Sequence, residues 1–286
     1  MTTAAYPLGL DALLPPEMAK RAEEIGVKKA SMDTVTLLAL AVLAGAFIAL
    51  GGVFATVALS GAETAPWGAT RVLAGVVFSL GLILVVVGGA ELFTGNNLIV
   101  MAWAGGRIGT PALLRNWAFV YVGNFLGALS IVLAIVVAGT HRAGAGAFGA
   151  TALRIAADKL RLEFGQAVVL GVLCNVLVCL AVWLALSART TADRILAVVP
   201  PISAFVAAGF EHSIANMYFV PLGLLIAAFD PAFVAAHGLE GSAQLMSWSA
   251  FFGRNLLPVT IGNVIGGAVL VGGVYWFVYL RSKGPS

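Results

Sequence analysis

Apolar residues run almost unbroken near 34–60, 69–91, 111–139, 164–187 and 254–280, and a sixth such stretch near 195–228 is interrupted at Glu211 and His212. Each is long enough to cross the hydrocarbon core as a helix, which takes about 20 residues. Alternating apolar and polar positions over runs of about ten residues, expected of a membrane β-barrel, are absent from the sequence. The pattern predicts an all-α membrane protein with six transmembrane helices. Residues 15–31 read differently: Pro15 and Pro16 open a helix, Met18, Ala22 and Ile25 share one face, and Glu24 precedes Lys28 by four. This amphipathic helix belongs to an N-terminal region over 1–33, placed either as an interfacial anchor or as a gating element beneath a pore mouth. The transmembrane domain is expected over 34–281 and a short tail over 282–286.

Two of the spans carry residues that a lipid-facing helix holds badly. Gly209-Phe210-Glu211-His212-Ser213-Ile214-Ala215-Asn216 and Gly89-Ala90-Glu91-Leu92-Phe93-Thr94-Gly95-Asn96 both read Gly-X-Glu-X4-Asn, displaced by 209 − 89 = 120 residues. A charged side chain at mid-membrane costs about 2.5–3.5 kcal/mol on insertion scales, so the Glu-His pair argues for a lined cavity or pathway. A second repeat follows, in which Arg115-Asn116 with Gly123-Asn124-X-X-Gly127 matches Arg254-Asn255 with Gly262-Asn263-X-X-Gly266, displaced by 254 − 115 = 139. Each half then holds three spans, the middle one interrupted, and an odd number of spans inverts the second half relative to the first. The glycines four apart let helix backbones approach closely, and Asn124 and Asn263 are expected to hydrogen-bond between helices. Breaking a helix in a bilayer frees backbone groups that must face protein or water. The half-helix N-termini so created favour a small anion at the midplane.

Composition agrees with this class: 60% hydrophobic residues, 10% charged residues and a mean hydropathy of +1.00 over 286 residues lie far outside soluble domains. The net charge of +3 is too small to suggest a nucleic-acid partner. Charged residues crowd positions 17–29 ahead of any long apolar run, so no cleavable signal peptide is apparent and the first span is expected to direct insertion. Ten Lys and Arg fall on the side of the termini and six on the other, which predicts cytoplasmic termini. Cys174 and Cys179 are five apart on one helix, point from different faces and are expected to pack rather than bridge. Neither metal-ligand spacing nor a phosphate-binding glycine loop is present, so no metal or cofactor is expected.

With these motifs in order, the chain resembles the formate/nitrite transporter family over nearly its whole length. The residues that carry the resemblance are Phe78-Ser-Leu-Gly-Leu82, Glu91-Leu92-Phe93-Thr94, Asn175-X-X-Val178-Cys179, Gly209 to Asn216, and Asn255-X-X-Pro258-Val-Thr-X-Gly-Asn263. The resemblance implies an aquaporin-like fold, a homopentamer with one pore in each protomer, and a bacterial inner-membrane location. Length, the amphipathic N-terminal helix and Pro221 favour the formate branch, whereas Thr94-Gly95 is similar to the nitrite branch. Nitrite or hydrosulfide is thus the alternative substrate within the family. Two other classes fit poorly. An aquaporin-type channel for neutral solutes calls for Asn-Pro-Ala tripeptides at the breaks, and an intramembrane hydrolase using Ser213 and His212 lacks an oxyanion motif. No enzymatic activity is expected.

Residue roles follow from the resemblance. Phe78 with Phe205 is expected to narrow the pore on the periplasmic side, and Leu82 with Leu92 and Phe93 on the cytoplasmic side; by spacing alone Phe78 and Leu82 read as core. Apolar constrictions obstruct a hydrated anion yet tolerate a neutral weak acid. His212, the residue of the break that titrates near neutrality, is expected to hydrogen-bond the anion together with Thr94 and Asn175, or to protonate it. A carboxyl near about 3.7 and an imidazole near about 6.5 are poorly matched in water, so transfer needs a desolvated chamber. Lys159 is the family-matched partner for Glu211, against the plain reading of a solvated residue like Arg154 and Arg161. Glu91 is expected to cap or pair at the first break with no partner identifiable, and His141 and His237 read as ordinary surface residues. The expected function is passive or proton-coupled transport of formate and related small monovalent anions.

Overall fold

The computed structural model describes residues 12–62 and 64–281, so the tail expected over 282–286 and positions 1–11 lie outside the described residues. Helix α1 (Pro15–Ala30) begins with two prolines, whose missing N–H groups cost nothing in a first turn. Glu17 sits at its start and Lys28 and Lys29 at its end, each opposite in sign to the dipole it faces. The first span, α2 (Thr34–Leu59), is capped by Asp33, whose carboxylate accepts the Thr36 N–H at 3.0 Å. The second, α3 (Trp67–Gly88), stops at Gly89 with φ 79°. It resumes as α4 (Phe93–Asn96), a 3-10 turn (Asn97–Ile99) and α5 (Val100–Ala104). The third is α6 (Thr110–Val137).

The second half repeats all four elements. Amphipathic α7 (Ala147–Arg161) precedes α8 (Phe164–Ser187); α9 (Thr191–Ala208) stops at Gly209 with φ 76°, and α10 (Ser213–Phe229) carries on beyond the break. The last span is Trp248–Tyr279. Gly89 and Gly209 adopt the left-handed backbone that only glycine takes cheaply, and so end α3 and α9 at matching points. The six long apolar helices and two interruptions are those the hydropathy pattern predicts.

Close helix contact explains the paired glycines. A Cβ on Gly127 would collide with the Val42 carbonyl, and one on Gly266 with that of Val172, so α6 packs on α2 as the last span packs on α8. The halves differ in the winding of their third spans. The last span winds as π-helix over Phe251–Leu256 and Ile265–Gly273, whereas α6 is regular. Asn175 accounts for the second of these: it stands where the first half has Gly45 (175 − 130 = 45), and its amide takes the Asn263 carbonyl at 2.7 Å. That carbonyl is drawn from the helical ladder, and the backbone loosens over the following turn.

Two expectations are revised. α1 is built into the bundle rather than laid on lipid: Met18, Ala19 and Ala22 bury against Met101 and Trp183, and Glu23 pairs with Arg107 at 3.2 Å. His141 is not a surface residue. It is 5% exposed, packs edge-on to Phe233 and meets Asp230 at 3.0 Å, because the short turn at Thr140–Arg142 folds back over the end of α10. Arg142 and His141 together hold the Asp230 carboxyl down to about 2. A lowered carboxyl stabilises the fold above its unfolded value of 3.8 and ceases to only as pH falls through about 2. His237 is exposed, as expected, with its ring 4.1 Å from that of Phe233.

Candidate functional site: two helix breaks and the cavities beside them

Each break survives in a bilayer because its backbone is satisfied by side chains, and the two solutions are copies. Glu91 N–H donates to Leu40 O at 3.2 Å, and Glu211 N–H to Leu170 O at 3.2 Å. Asn124 donates to the carbonyls of Ala41 and Glu91 and accepts the Phe93 N–H; Asn263 donates to those of Gly171 and Glu211 and accepts the Ser213 N–H. These asparagines bond between helices, as their place in the repeat predicts.

The acidic residues are held in the same duplicated way. Lys159 Nζ lies 2.7 Å from Glu211 Oε1, while Asn216 donates to Glu211 Oε2 at 2.7 Å and to Asn255. In the first half Lys29 Nζ lies 2.9 Å from Glu91 Oε1, and Asn96 donates to Glu91 Oε2 at 2.7 Å and to Asn116. Lys29 is the partner of Glu91 that could not be identified from sequence. Its signal is a third offset, 159 − 29 = 130, shared by Leu40 and Leu170. Both glutamates are nearly fully buried, and a buried charge without its partner costs about 3–5 kcal/mol. Lys159→Ala is therefore expected to lower stability in detergent by about 3 kcal/mol, read as a fall in the thermal unfolding midpoint; an unchanged midpoint would mean that Asn216 and Asn255 suffice for Glu211.

Two cavities of about 240 Å³ each flank the breaks and share no wall residue. The first is walled by Lys159, Phe78, Phe205, Phe219, Glu211 and His212, with Arg71 at its side. The second is walled by Ile25, Lys29, Leu82, Glu91 and Leu92 beneath α1. Between them the breaks touch: Thr94 Oγ1 lies 3.1 Å from His212 Nε2. The Ala215 N–H donates to His212 Nδ1 at 3.0 Å, so in the neutral ring the proton resides on Nε2, facing Thr94. Rings close the site on the first side: His212 stacks on Phe205 at 5.7 Å, Phe205 meets Phe78 edge-on at 5.7 Å, and Phe78 stacks on Phe219 at 6.5 Å.

The residues expected at the pathway divide into three groups. His212, Phe78 and Phe205 line the first cavity, with Glu211 and Lys159 beside them, and Leu82 and Leu92 line the second. Phe93 does not join them. After the break the chain turns its ring away, edge-on to Tyr121 at 4.8 Å and Trp117 at 6.1 Å, in a lateral apolar groove. Thr94, Asn175 and Val178 are fully buried and stand on neither cavity's wall. The Asn175 amide bonds Asn263 O, Asn97 Oδ1 and, more weakly at 3.4 Å, Thr94 O, leaving its Oδ1 a buried acceptor without a partner.

Sequence reasoning missed Phe219, whose ring lies 5.4 Å beneath Lys159 Nζ, and Arg71. Arg71 donates to Val206 O at 2.7 Å and Ala207 O at 3.2 Å, tying off the last carbonyls of α9. Among the described residues no three His, Cys, Asp or Glu side chains gather as a metal ion would need.

Comparison with known proteins agrees with this geometry. The profile of the family described as Formate/nitrite transporter matches residues 16–277. The Formate channel FocA of Escherichia coli (strain K12) is 47% identical over 276 residues, covering 96% of each chain. That of Haemophilus influenzae is 41% identical over 263 residues, covering 91% of this chain and 93% of the relative. A solved structure described as a pentameric formate channel with formate bound superposes with a TM-score of 0.81 at 43% identity, over 87% of this chain and 98% of that one. With the paired breaks, their duplicated polar frames and this match along nearly all of its length, the chain belongs to the formate/nitrite transporter family.

Proposed function

We propose that the protein is a homopentameric channel of the inner membrane, with both termini cytoplasmic, that carries formate and related small monovalent anions through a pore in each protomer. The observation that carries this reading is the His212–Thr94 contact between two separate cavities, bounded by Phe78 and Phe205 on one side and by Leu82 and Leu92 on the other. A small carboxylate passing Lys159 into the first cavity meets the His212 Nε2–H as a donor, while the surrounding rings exclude its hydration shell. The relatives named for formate support the choice of ion.

The same geometry distinguishes the two roles open to His212. The ring as built is a neutral hydrogen-bond donor. To protonate formate it must first become imidazolium, with a proton on Nδ1, and Nδ1 can then no longer accept the Ala215 N–H that caps α10. Proton delivery is thereby coupled to uncapping the half-helix. The unpartnered Oδ1 of Asn175 suits the resulting acid, since it accepts from an O–H and repels a carboxylate. Stopped-flow uptake into proteoliposomes, comparing formate, nitrite, chloride and hydrosulfide over about pH 4 to 8, is expected to show formate moving fastest. Nitrite or hydrosulfide outpacing formate at every pH would overturn the assignment.

A further inference from the structure

The duplicated frame gives a way to separate residues that build the breaks from residues that serve the pathway. Glu91, Asn96, Asn116 and Asn124 each have a counterpart of the same type in the second half; the pairs share most of their bonds, apart from Lys29 donating to Asn96 and Asn255 to Glu211, and this set holds the breaks open. Other buried polar residues have no such counterpart, Ser213 and Thr56 among them, and four of these lie together. His212 stands opposite Leu92, Thr94 opposite Ile214, Asn97 opposite Met217, and Asn175 opposite Gly45.

These four unmatched residues are bonded to one another in sequence. His212 Nε2 meets Thr94 Oγ1 at 3.1 Å, Asn175 Nδ2 meets the Thr94 carbonyl at 3.4 Å, and the same nitrogen donates to Asn97 Oδ1 at 3.0 Å. Asn97 is fully buried, and its own amide donates to Phe93 O at 3.0 Å, the carbonyl just ahead of Thr94. A primary amide has two N–H groups. With Asn263 O at 2.7 Å and Asn97 Oδ1 at 3.0 Å, both protons of Asn175 have near acceptors, and Thr94 O is left with this long contact and the Cys179 thiol at 3.3 Å.

We infer that Asn97 is a positioning residue: by engaging Asn175 on one side and Phe93 O on the other, it fixes the Thr94 hydroxyl against His212, and it lines neither of the two cavities beside the breaks. This rests on the formate-transport reading above. Remove its acceptor and the Asn175 amide turns to Thr94 O, pulling the turn that carries the hydroxyl. The local winding agrees, since the backbone tightens to 3-10 geometry at Asn97 whereas α10 runs unbroken through Met217.

The test is Asn97→Met, the residue at the symmetry-related position, with formate uptake into proteoliposomes measured across the pH range. Expected are wild-type elution on size exclusion, an uptake rate lowered about tenfold or more, and a displaced pH profile. Because Asn97 acts through Thr94, adding Asn97→Met to Thr94→Val should lower uptake no further, the non-additivity of residues in one network. Asn97→Asp, isosteric and able when protonated to keep both bonds, should approach wild-type uptake at acid pH and fall away as pH rises. An unmoved pH profile, or additive losses in the double variant, would show a merely structural role and overturn the inference. Should Asn97→Met fail to assemble, Asn97→Asp decides alone, and an uptake ratio to wild type constant with pH overturns it. Wild-type protein that carries no formate above empty liposomes defeats the transport reading instead; wild-type uptake with an unaffected Asn97→Met defeats this inference alone.

Discussion

Asn263→Leu is expected to abolish recovery of the folded protein. Leucine has the branched shape of asparagine but is larger, so at this fully buried position the change both removes hydrogen bonds and overpacks the site. Two buried backbone groups lose their partners, Glu211 O at 2.9 Å and the Ser213 N–H at 2.9 Å, and Gly171 O, inside α8, loses a second donor at 2.8 Å. Each group left unsatisfied costs about 1–3 kcal/mol and the overpacking about 1–3 kcal/mol more, so the total is roughly 3–9 kcal/mol. That is comparable with the whole stability of an ordinary domain, about 5–15 kcal/mol. Water cannot replace the lost partners at this depth without flooding the helix contact. Asn124→Leu should do equal damage, since its three bonds are the same by symmetry. The measurement is size-exclusion elution and thermal unfolding in detergent. Wild-type behaviour from either variant would mean that the breaks are held by something other than these asparagines.

The second large effect is on transport. His212→Asn keeps a side-chain acceptor at the cap of α10, so the half-helix should stay in place and the unfolding midpoint should hold near wild type. What it removes is the ring nitrogen that reaches Thr94. A hydrogen bond to a charged group contributes about 1.5–3 kcal/mol, which corresponds to roughly a 10- to 100-fold fall in formate uptake. The titratable group goes with it, so the pH dependence of uptake between about 4 and 8 should flatten. Uptake at the wild-type rate with an unchanged pH profile would remove His212 from the mechanism.

Much of this architecture is legible in the sequence because the bilayer enforces it. A glutamate within an apolar run must be paired or must line a cavity, and a motif occurring twice at matching points of two halves must serve both. Gly-X-Glu-X4-Asn and Gly-Asn-X-X-Gly accordingly located the breaks and the asparagines that hold them. Lys29 escaped because α1 and α7 share amphipathic character but little identity, so the offset that pairs Lys29 with Lys159 shows only once the helices are superposed. Arg71 escaped because an arginine at the end of a span reads as a charge count. The direction of Phe93 was illegible for another reason. Left-handed Gly89 and the extended residues after it reset the helix phase, and no periodicity carries across such a joint. The burial of His141 likewise depends on a turn without period, folding onto an aspartate some ninety positions away.

The pairing of the two cavities bears on direction. A frame that maps onto itself across the membrane plane cannot tell one face from the other, so Lys29 with Glu91 and Lys159 with Glu211 present much the same prospect to an ion arriving from either compartment. Any rectification of the current, faster inward than outward or the reverse, has to originate in the positions where the halves disagree, among them Phe78, Phe205 and Phe219 on one side and Leu82 and Leu92 on the other. Histidine opposite leucine is the chief of them. Any polarity of the pathway is thus carried by what differs between the halves and not by the paired frame that they share.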